Sequence, residues 1–568
     1  MRRPRGIYPA AAALALFFAL RFSRAGPAVE GAFADRAPAA GLAFRLENHP
    51  TAEKYLIETM TGGCAFLDYD ADGRLDIFLV NGAAIVAGAG GQPPGFDKTH
   101  PKYWNRLYRN TGNGRFVDAT ERAGARGAGY GMGVAAGDYD NDGYPDLYVT
   151  NYGRNQLLRN RGDGTFQDVT GRAGAGGGGF STSAAFFDYD RDGWLDLFVA
   201  RYVNWSFQNH IVCGLGGRRD YCHPKHFEGE RNLLFRNNRD GTFRDVSQET
   251  GIALGGGKSL GVAIEDLDRD GWPDIYVAND SVPGFLFHNQ AGRGFREIGL
   301  ESGSALNENG SAFAGMGADF ADYDNDGWPD LFVTALSLEG FVLYRNQRDS
   351  TFSDVSQSAG VKKASFYLSG WGTRFVDFDN DGWKDLFVAN SHVMRDIEHS
   401  IRTLSYLQPL LMLHNRRGAF EDAGARLGPV FAQKFAARGA AFGDYDNDGD
   451  LDILVQVLGA QPLLLENVAG SRNRWIGLEL AGSAGNRDAI GAVIRAGGQR
   501  HFVSRASSYL SSNDPRVIVG LGGGPAEEIE ITWPSGRTQK LKPAANRYTK
   551  IVEPGTPANP ASGVSGPP

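Results

Sequence analysis

Seven copies of one pattern, D-x-D-x-D-G-x-x-D, carry the candidate chemistry of this chain. The copy at 68–76 places Asp68, Asp70, Asp72 and Asp76, and that at 138–146 places Asp138, Asp140, Asp142 and Asp146. Those at 188–196 and 266–274 bring Asp188, Asp190, Asp192 and Asp196, then Asp266, Asp268, Asp270 and Asp274. The copies at 322–330 and 377–385 supply Asp322, Asp324, Asp326 and Asp330, then Asp377, Asp379, Asp381 and Asp385. The last, at 444–452, gives Asp444, Asp446, Asp448 and Asp452. Carboxylates crowded into one tight turn raise one another's pKa and call for a counter-ion. Hard oxygens in that number suit Ca2+, with the carbonyl of position 7 and water completing about six to eight ligands. Glycine at position 6 allows the sharp bend. Mg2+ is the weaker candidate, because it demands near-ideal octahedral geometry and keeps its waters. The reading is therefore up to seven structural Ca2+ ions.

The flanking residues say what must position these turns. The resemblance to a helix-flanked calcium loop ends at position 12, which is apolar here, as at Leu79 and Val149, instead of a chelating Glu. A strand of small residues precedes each copy and an apolar strand follows, such as I-F-L-V from Ile77. These second strands are apolar on both faces, so both faces must be buried. A third strand ends in an apolar-x-Asn signature at Asn110, Asn160, Asn237, Asn289, Asn346, Asn415 and Asn467. A fourth carries F-x-D or F-x-E, as at Phe116 and Asp118. Start-to-start spacings of 70, 50, 78, 56, 55 and 67 residues fit a repeat array built from four-stranded units. After Asn467 the fourth strand is missing, while 31–42 aligns with 241–252. The reading is a closed, all-β, seven-bladed β-propeller over 26–471, its last blade completed by a strand from about 31–42. Glycines in the first strands suit a crowded central axis.

Composition narrows the class. The chain has 568 residues, 42% of them apolar, which excludes bulk disorder. Its 58 basic against 66 acidic residues argue against a nucleic-acid surface. Arg2, Arg3 and Arg5 precede an apolar run at 7–20 that is short for a membrane span, so 1–25 reads as a secretory signal. Its loss removes five arginines and no acid, moving the formal charge from −8 to −13. Seven divalent ions would bring it to +1. In the oxidising compartment that export implies, Cys213 and Cys222 pair in a small loop-closing disulfide. A Cys/His metal site is the alternative there, with poor spacing. Cys64 reads as a buried free thiol.

Residues 472–553 carry short strands separated by turn signals and read as a small all-β domain, followed by a disordered tail at 554–568. The acidic loops with their flanking strands resemble the FG-GAP/VCBS repeats of integrin α-chain propellers. The C-terminal residues Asn486, Arg487, Asp488, Ala489, Ile490, Gly491 and Ala492 precede the run 509–515, then Gly520-Leu521-Gly522 and Trp533-Pro534-Ser535-Gly536. That order resembles the ASPIC/UnbV domain of the cartilage acidic protein-like family. The resemblance implies a secreted, calcium-binding propeller with no defined enzymatic activity.

Three insertions, near 82–102, 203–230 and 392–410, all follow the second strand of their units and so fall on one rim. Basic residues of the middle one, including His210, Arg218, Arg219, His223, Lys225 and His226, are either a ligand site or a solvated loop. Gly255-Gly256-Gly257-Lys258-Ser259 mimics a phosphate loop, but Ile252 stands where its first glycine belongs. The expected function is a secreted, periplasmic or cell-surface binding or adhesion module. It would be non-enzymatic and monomeric, take an extracellular protein or glycan, and have no membrane span after signal cleavage. The alternative is a polysaccharide lyase or hydrolase acting at the central channel; a third reading is a scaffold whose C-terminal domain docks an enzyme.

Overall fold

Each acidic turn joins the first two strands of a four-stranded antiparallel sheet, and seven such sheets recur along the chain. The computed structural model describes residues 31–215, 218–483 and 485–555. The expected signal at 1–25 and residues 556–568 of the expected tail lie outside them. One sheet shows the plan: Tyr130–Gly137, Asp146–Tyr152, Gln156–Asn160 and Phe166–Asp168. Gly137 pairs with Asp146, so the turn 138–146 is clamped at its base by the ladder. In the last sheet the outer strand comes from the other end of the chain: Phe33–Asp35 pairs with Leu463–Asn467, with Phe33 opposite Asn467.

Packing explains why the second strands do not alternate between apolar and polar. In Asp385–Asn390, Leu386 and Val388 face the core shared with the preceding sheet, and Phe387 and Ala389 face the core shared with the next. Neighbouring side chains of a strand point to opposite faces, and here each face meets another sheet. The first strands of successive sheets touch in chain order, and Ala437–Gly443 of the last touches Cys64–Leu67 of the first.

The asparagines that end the third strands link sheet to sheet. Asn160 Nδ2 donates to Pro145 O of its own turn and to Tyr69 O in the turn of the preceding sheet. Asn237 reaches Tyr139 O, Asn289 Tyr189 O, Asn346 Leu267 O, Asn415 Tyr323 O and Asn467 Phe378 O. Asn110 reaches Tyr445 O of the last sheet at 2.9 Å, so the relay returns to its start. All seven amides are buried, where an unpaired carbonyl costs about 1–3 kcal/mol.

The C-terminal module has two sheets. Arg474–Ala481 lies between Val517–Gly522 and Tyr548–Val552, while Val493–Ala496 pairs with Gln499–Phe502 and Ile529–Thr532, with Thr538–Leu541 outside. The apolar run A-I-G-A is not strand throughout: Ala489 and Gly491 have φ of +51° and +94°, which turns the chain before Val493.

A segment of this module, 505–514, enters the space where the first strands converge. Val134 N donates to Leu510 O, Leu510 N to Ser183 Oγ, and Thr373 N to Ser508 Oγ. Ser508 also exchanges backbone bonds with Ala318, Ser512 bonds to Cys64 and Phe66, and Phe442 N donates to Asn513 Oδ1. Tyr509, Leu510 and Ser508 are almost wholly buried. The axial glycines make room for this segment. A Cβ on Gly63 would lie 2.3 Å from Leu510 O, and one on Gly133 2.9 Å from the same atom. Gly63→Ala should therefore destabilise the fold by about 1–3 kcal/mol, whereas Gly178→Ala, with open space at its Cβ, should stay within about 0.5 kcal/mol. Urea unfolding of the two variants checks this.

Candidate metal loops

Six of the seven turns share one internal geometry; in the fourth, Asp270 N donates to Asp268 Oδ1 instead of to the first aspartate. In the first, Asp68 Oδ1 accepts from Asp72 N and its Oδ2 from Gly73 N, at 3.0 and 2.8 Å. Asp72 Oδ1 accepts from Arg74 N. Asp76 accepts from Asn110 N at 2.7 Å and from Tyr69 N at 3.1 Å, tying the turn to the end of the third strand. The fourth position has a left-handed backbone in every copy, with φ between +53° and +64°. Asparagine tolerates that region well. Asn141, Asn325, Asn380 and Asn447 occupy it, and each donates its side chain to the glycine carbonyl of the next turn.

These bonds leave one buried carboxylate oxygen in each turn without a partner. It is Oδ1 of Asp70, Asp140, Asp190, Asp324 and Asp379 at the third position, Oδ1 of Asp266 in the fourth copy, and Oδ1 of Asp450 in the seventh. Burial, with like charges adding to it, pushes the ninth-position carboxyl of each turn up. Asp76 rises from 3.8 to about 8, chiefly through burial, with Asp70 and Asp68 adding to it. Asp138 and Asp188 rise to about 7 for the same main reason. A hard divalent cation at such a turn would satisfy the orphaned oxygens and hold the carboxylates ionised. Asp68, Asp70, Asp72 and Asp76, and their counterparts, are the residues that could hold it.

The residue before each third-strand asparagine sits over the turn, a role that sequence reading missed. Arg109 bonds Asp70 at 2.5 Å and Asp72 at 3.0 Å; Arg159, Arg236 and Arg345 pair with the same two positions of their own turns. The signal was present in L-Y-R-N and L-L-R-N. His288, His414 and Glu466 replace the arginine in the fourth, sixth and seventh copies. His288 Nε2 is 2.7 Å from Asp268 Oδ2, and that hydrogen bond raises the imidazole pKa. His414 is buried, which lowers its pKa to about 4.

The C-terminal module covers this face of the sheets. Tyr548 OH donates to Asp444 Oδ2, Arg516 Nη2 to Asp444 O, and Arg500 Nη2 to Glu265 Oε1 and Asp266 O. Asn486 N donates to Gly193 O, and Gly522 N to Asn380 O. The insertions gather elsewhere. Phe96 and Phe207 meet at 5.6 Å, Tyr221 OH donates to Glu58, and Arg219 pairs with Glu53. Cys213 and Cys222 are disulfide-bonded, with Cα atoms 5.2 Å apart. His210 Nε2 lies 3.1 Å from Glu53 O, so His210 and Arg219 both engage Glu53 within the fold. Cys64 is a buried thiol, pushed up to about 12 by burial.

The sequence profile of the FG-GAP-like repeat matches residues 68–149, 138–199, 226–277, 266–333 and 322–388. The profile described as ASPIC and UnbV matches 482–558. Cartilage acidic protein 1 of Mus musculus is 25% identical over 333 residues, covering 55% of this chain and 47% of that protein; the Homo sapiens protein is 25% identical over 331 residues, covering 55% and 46%. The chain thus spans about half the length of these relatives. Among solved structures, the BP39L lectin from Burkholderia pseudomallei aligns with a TM-score of 0.43 at 9% identity, covering 72% of this chain and 97% of that one. An Agrocybe aegerita lectin that recognises non-reducing terminal N-acetylglucosamine aligns with a TM-score of 0.33 at 18% identity, covering 66% and 84%. No helix among the described residues is long and apolar enough to cross a membrane.

A carboxyl whose folded pKa exceeds its unfolded value binds its proton more tightly in the folded chain. Stability then falls as pH rises between the two values. For Asp76 that window runs from 3.8 to about 8. Chain stripped with EDTA should melt at progressively lower temperature across that range, and calcium should flatten the dependence. Melting curves at several pH values, with and without Ca2+, check it; a stripped chain that gains stability toward pH 8 contradicts the account.

Proposed function

The chain belongs to the FG-GAP-like repeat family, with an ASPIC and UnbV module toward its C-terminal end, and from that premise we propose that it is an exported, calcium-stabilised seven-bladed propeller that binds an extracellular protein or glycan and does no catalysis. Closure of the ring is supported by the asparagine relay that returns through Asn110 to Tyr445, and by the contact between the first strands of the first and last sheets. Calcium is supported by the orphaned carboxylate oxygen in each turn and by the all-oxygen donor set in most of them. Export is supported by the Cys213–Cys222 disulfide and by the named relatives.

One observation carries the choice of a binder over an enzyme. A lyase or hydrolase working at the central channel needs an open axis lined by convergent acids and bases. Here the axis is filled by 505–514, whose Ser508, Leu510 and Ser512 bond to the surrounding strands. The C-terminal module covers the face that carries the acidic turns. The insertion rim is the surface left for a partner, and Val86, Ile211 and Val212 stand exposed on it.

The test is a binding screen of the purified full chain against extracellular proteins and glycans, with and without EDTA, beside elemental analysis. The reading expects up to seven bound Ca2+ and a ligand whose binding Val212→Asp weakens by at least about tenfold without moving the melting temperature. Turnover of a polysaccharide, or melting indifferent to chelation, would count against it.

A further inference from the structure

The sixth turn differs in kind from its neighbours. Where four of the other copies place an arginine over the third and fifth aspartates, this one places His414. The ring is 2% exposed, and neither Nδ1 nor Nε2 has a hydrogen-bond partner. A buried imidazole left unpaired on both sides bears the desolvation penalty of each unsatisfied nitrogen. Its Nε2 lies 3.6 Å from Asp379 Oδ2 and 4.0 Å from Asp385 Oδ1. Asp379, Asp381 and His414 each offer one ligand atom, all within 4.8 Å of one another. Asp379 Oδ1 is a further buried atom without a partner. Phe378 packs edge-on against the imidazole at 5.3 Å and 69°, which fixes its plane. Asp385 is held by Asn415 N and Phe378 N.

Ligand atoms bonded to one small dication at about 2.0–2.1 Å sit roughly 3–3.5 Å apart, so the observed separations close with shifts of less than about 1 Å. Calcium takes oxygen, whereas imidazole is a ligand of zinc and the other first-row dications. We propose that His414 with Asp379, Asp381 and Asp385 forms a mixed nitrogen–oxygen site for a first-row transition dication such as Zn2+, in place of the calcium expected of the other turns. His288 of the fourth turn is no equivalent. Its Nε2 is engaged by Asp268 at 2.7 Å and its Nδ1 by Gln290 at 2.9 Å. The inference rests on the reading that these turns hold cations.

The full chain, stripped with EDTA and returned to excess Ca2+, is titrated with Co2+ and followed by visible absorption and elemental analysis. One equivalent of Co2+ should bind despite the calcium, and Zn2+ should displace it. His414→Gln and His414→Arg should each weaken Co2+ by about 100-fold or more, while His288→Gln should not. His414→Arg restores the residue of the other turns and guards against a merely misfolded variant; its calcium-dependent melting should match the parent. Co2+ uptake that survives both His414 variants, or that falls with His288→Gln instead, overturns the site. A chain that takes up Ca2+ but no Co2+ overturns this inference alone, and one that takes up neither overturns the calcium reading with it.

Discussion

A buried carboxylate at the ninth position of each turn is the tie on which the sheets depend. Asp76 accepts from the backbone of Tyr69 at the start of its turn and of Asn110 at the end of the third strand. Its six counterparts do the same. One side chain thereby fixes the turn, the start of the second strand and the end of the third. A carboxylate that deep strongly favours its proton, and the neighbours in the turn are carboxylates too. In four copies the arginine before the third-strand asparagine answers part of that charge, and a cation would answer the rest. The geometry is thus built around charge that the protein atoms alone leave incompletely compensated.

The same turns carry the coupling between sheets. Each third-strand asparagine bonds a carbonyl in the preceding turn, and four fourth-position asparagines bond a glycine carbonyl in the following one. A distortion of one turn therefore reaches the preceding neighbour through buried hydrogen bonds and, in those four copies, the following one as well. In repeat arrays stability is roughly a sum of unit terms and nearest-neighbour terms. The bond from Asn110 to Tyr445 O gives the first and last sheets a link of the same kind. The pairing of Phe33–Asp35 with Leu463–Asn467 serves the same end by making the two termini partners in one sheet.

Much of this was readable because the repeat makes its own controls. Seven instances of Asp at four positions and Gly at a fifth could not be coincidence, and both-face apolar strands demanded sheets on both sides. What escaped reading depended on contacts distant in sequence. The segment 505–514 has no periodicity and few strong formers of either helix or strand, so nothing local marks it as an axial filling. The axial glycines at 63 and 133 signalled crowding but not its source, Leu510, hundreds of residues away. The arginines over the turns were visible as letters in L-Y-R-N, yet their reach to the acidic oxygens follows from sheet twist and side-chain direction, which spacing alone does not report. The strand Thr538–Leu541 carries no signal of its own, because its polar, half-exposed residues lack an apolar face.

The two ends of the sheet array are consequently unequal. Acidic turns, the C-terminal module and the axial segment converge on one end and the centre, and their interactions are mostly buried. The other end collects the three long insertions, all from the same connection of their sheets, together with a disulfide and aromatic contacts that stiffen them. Most groups of the first set, the ninth-position aspartates and third-strand asparagines above all, hold two or more partners at once. The insertions touch one another, as Phe96 does Phe207, and also lean on 53–58 through His210, Arg219 and Tyr221, while Val212 and Ile211 stand free. A scaffold organised this way concentrates its freedom to vary at a single rim, while the charged turns lie on the far side.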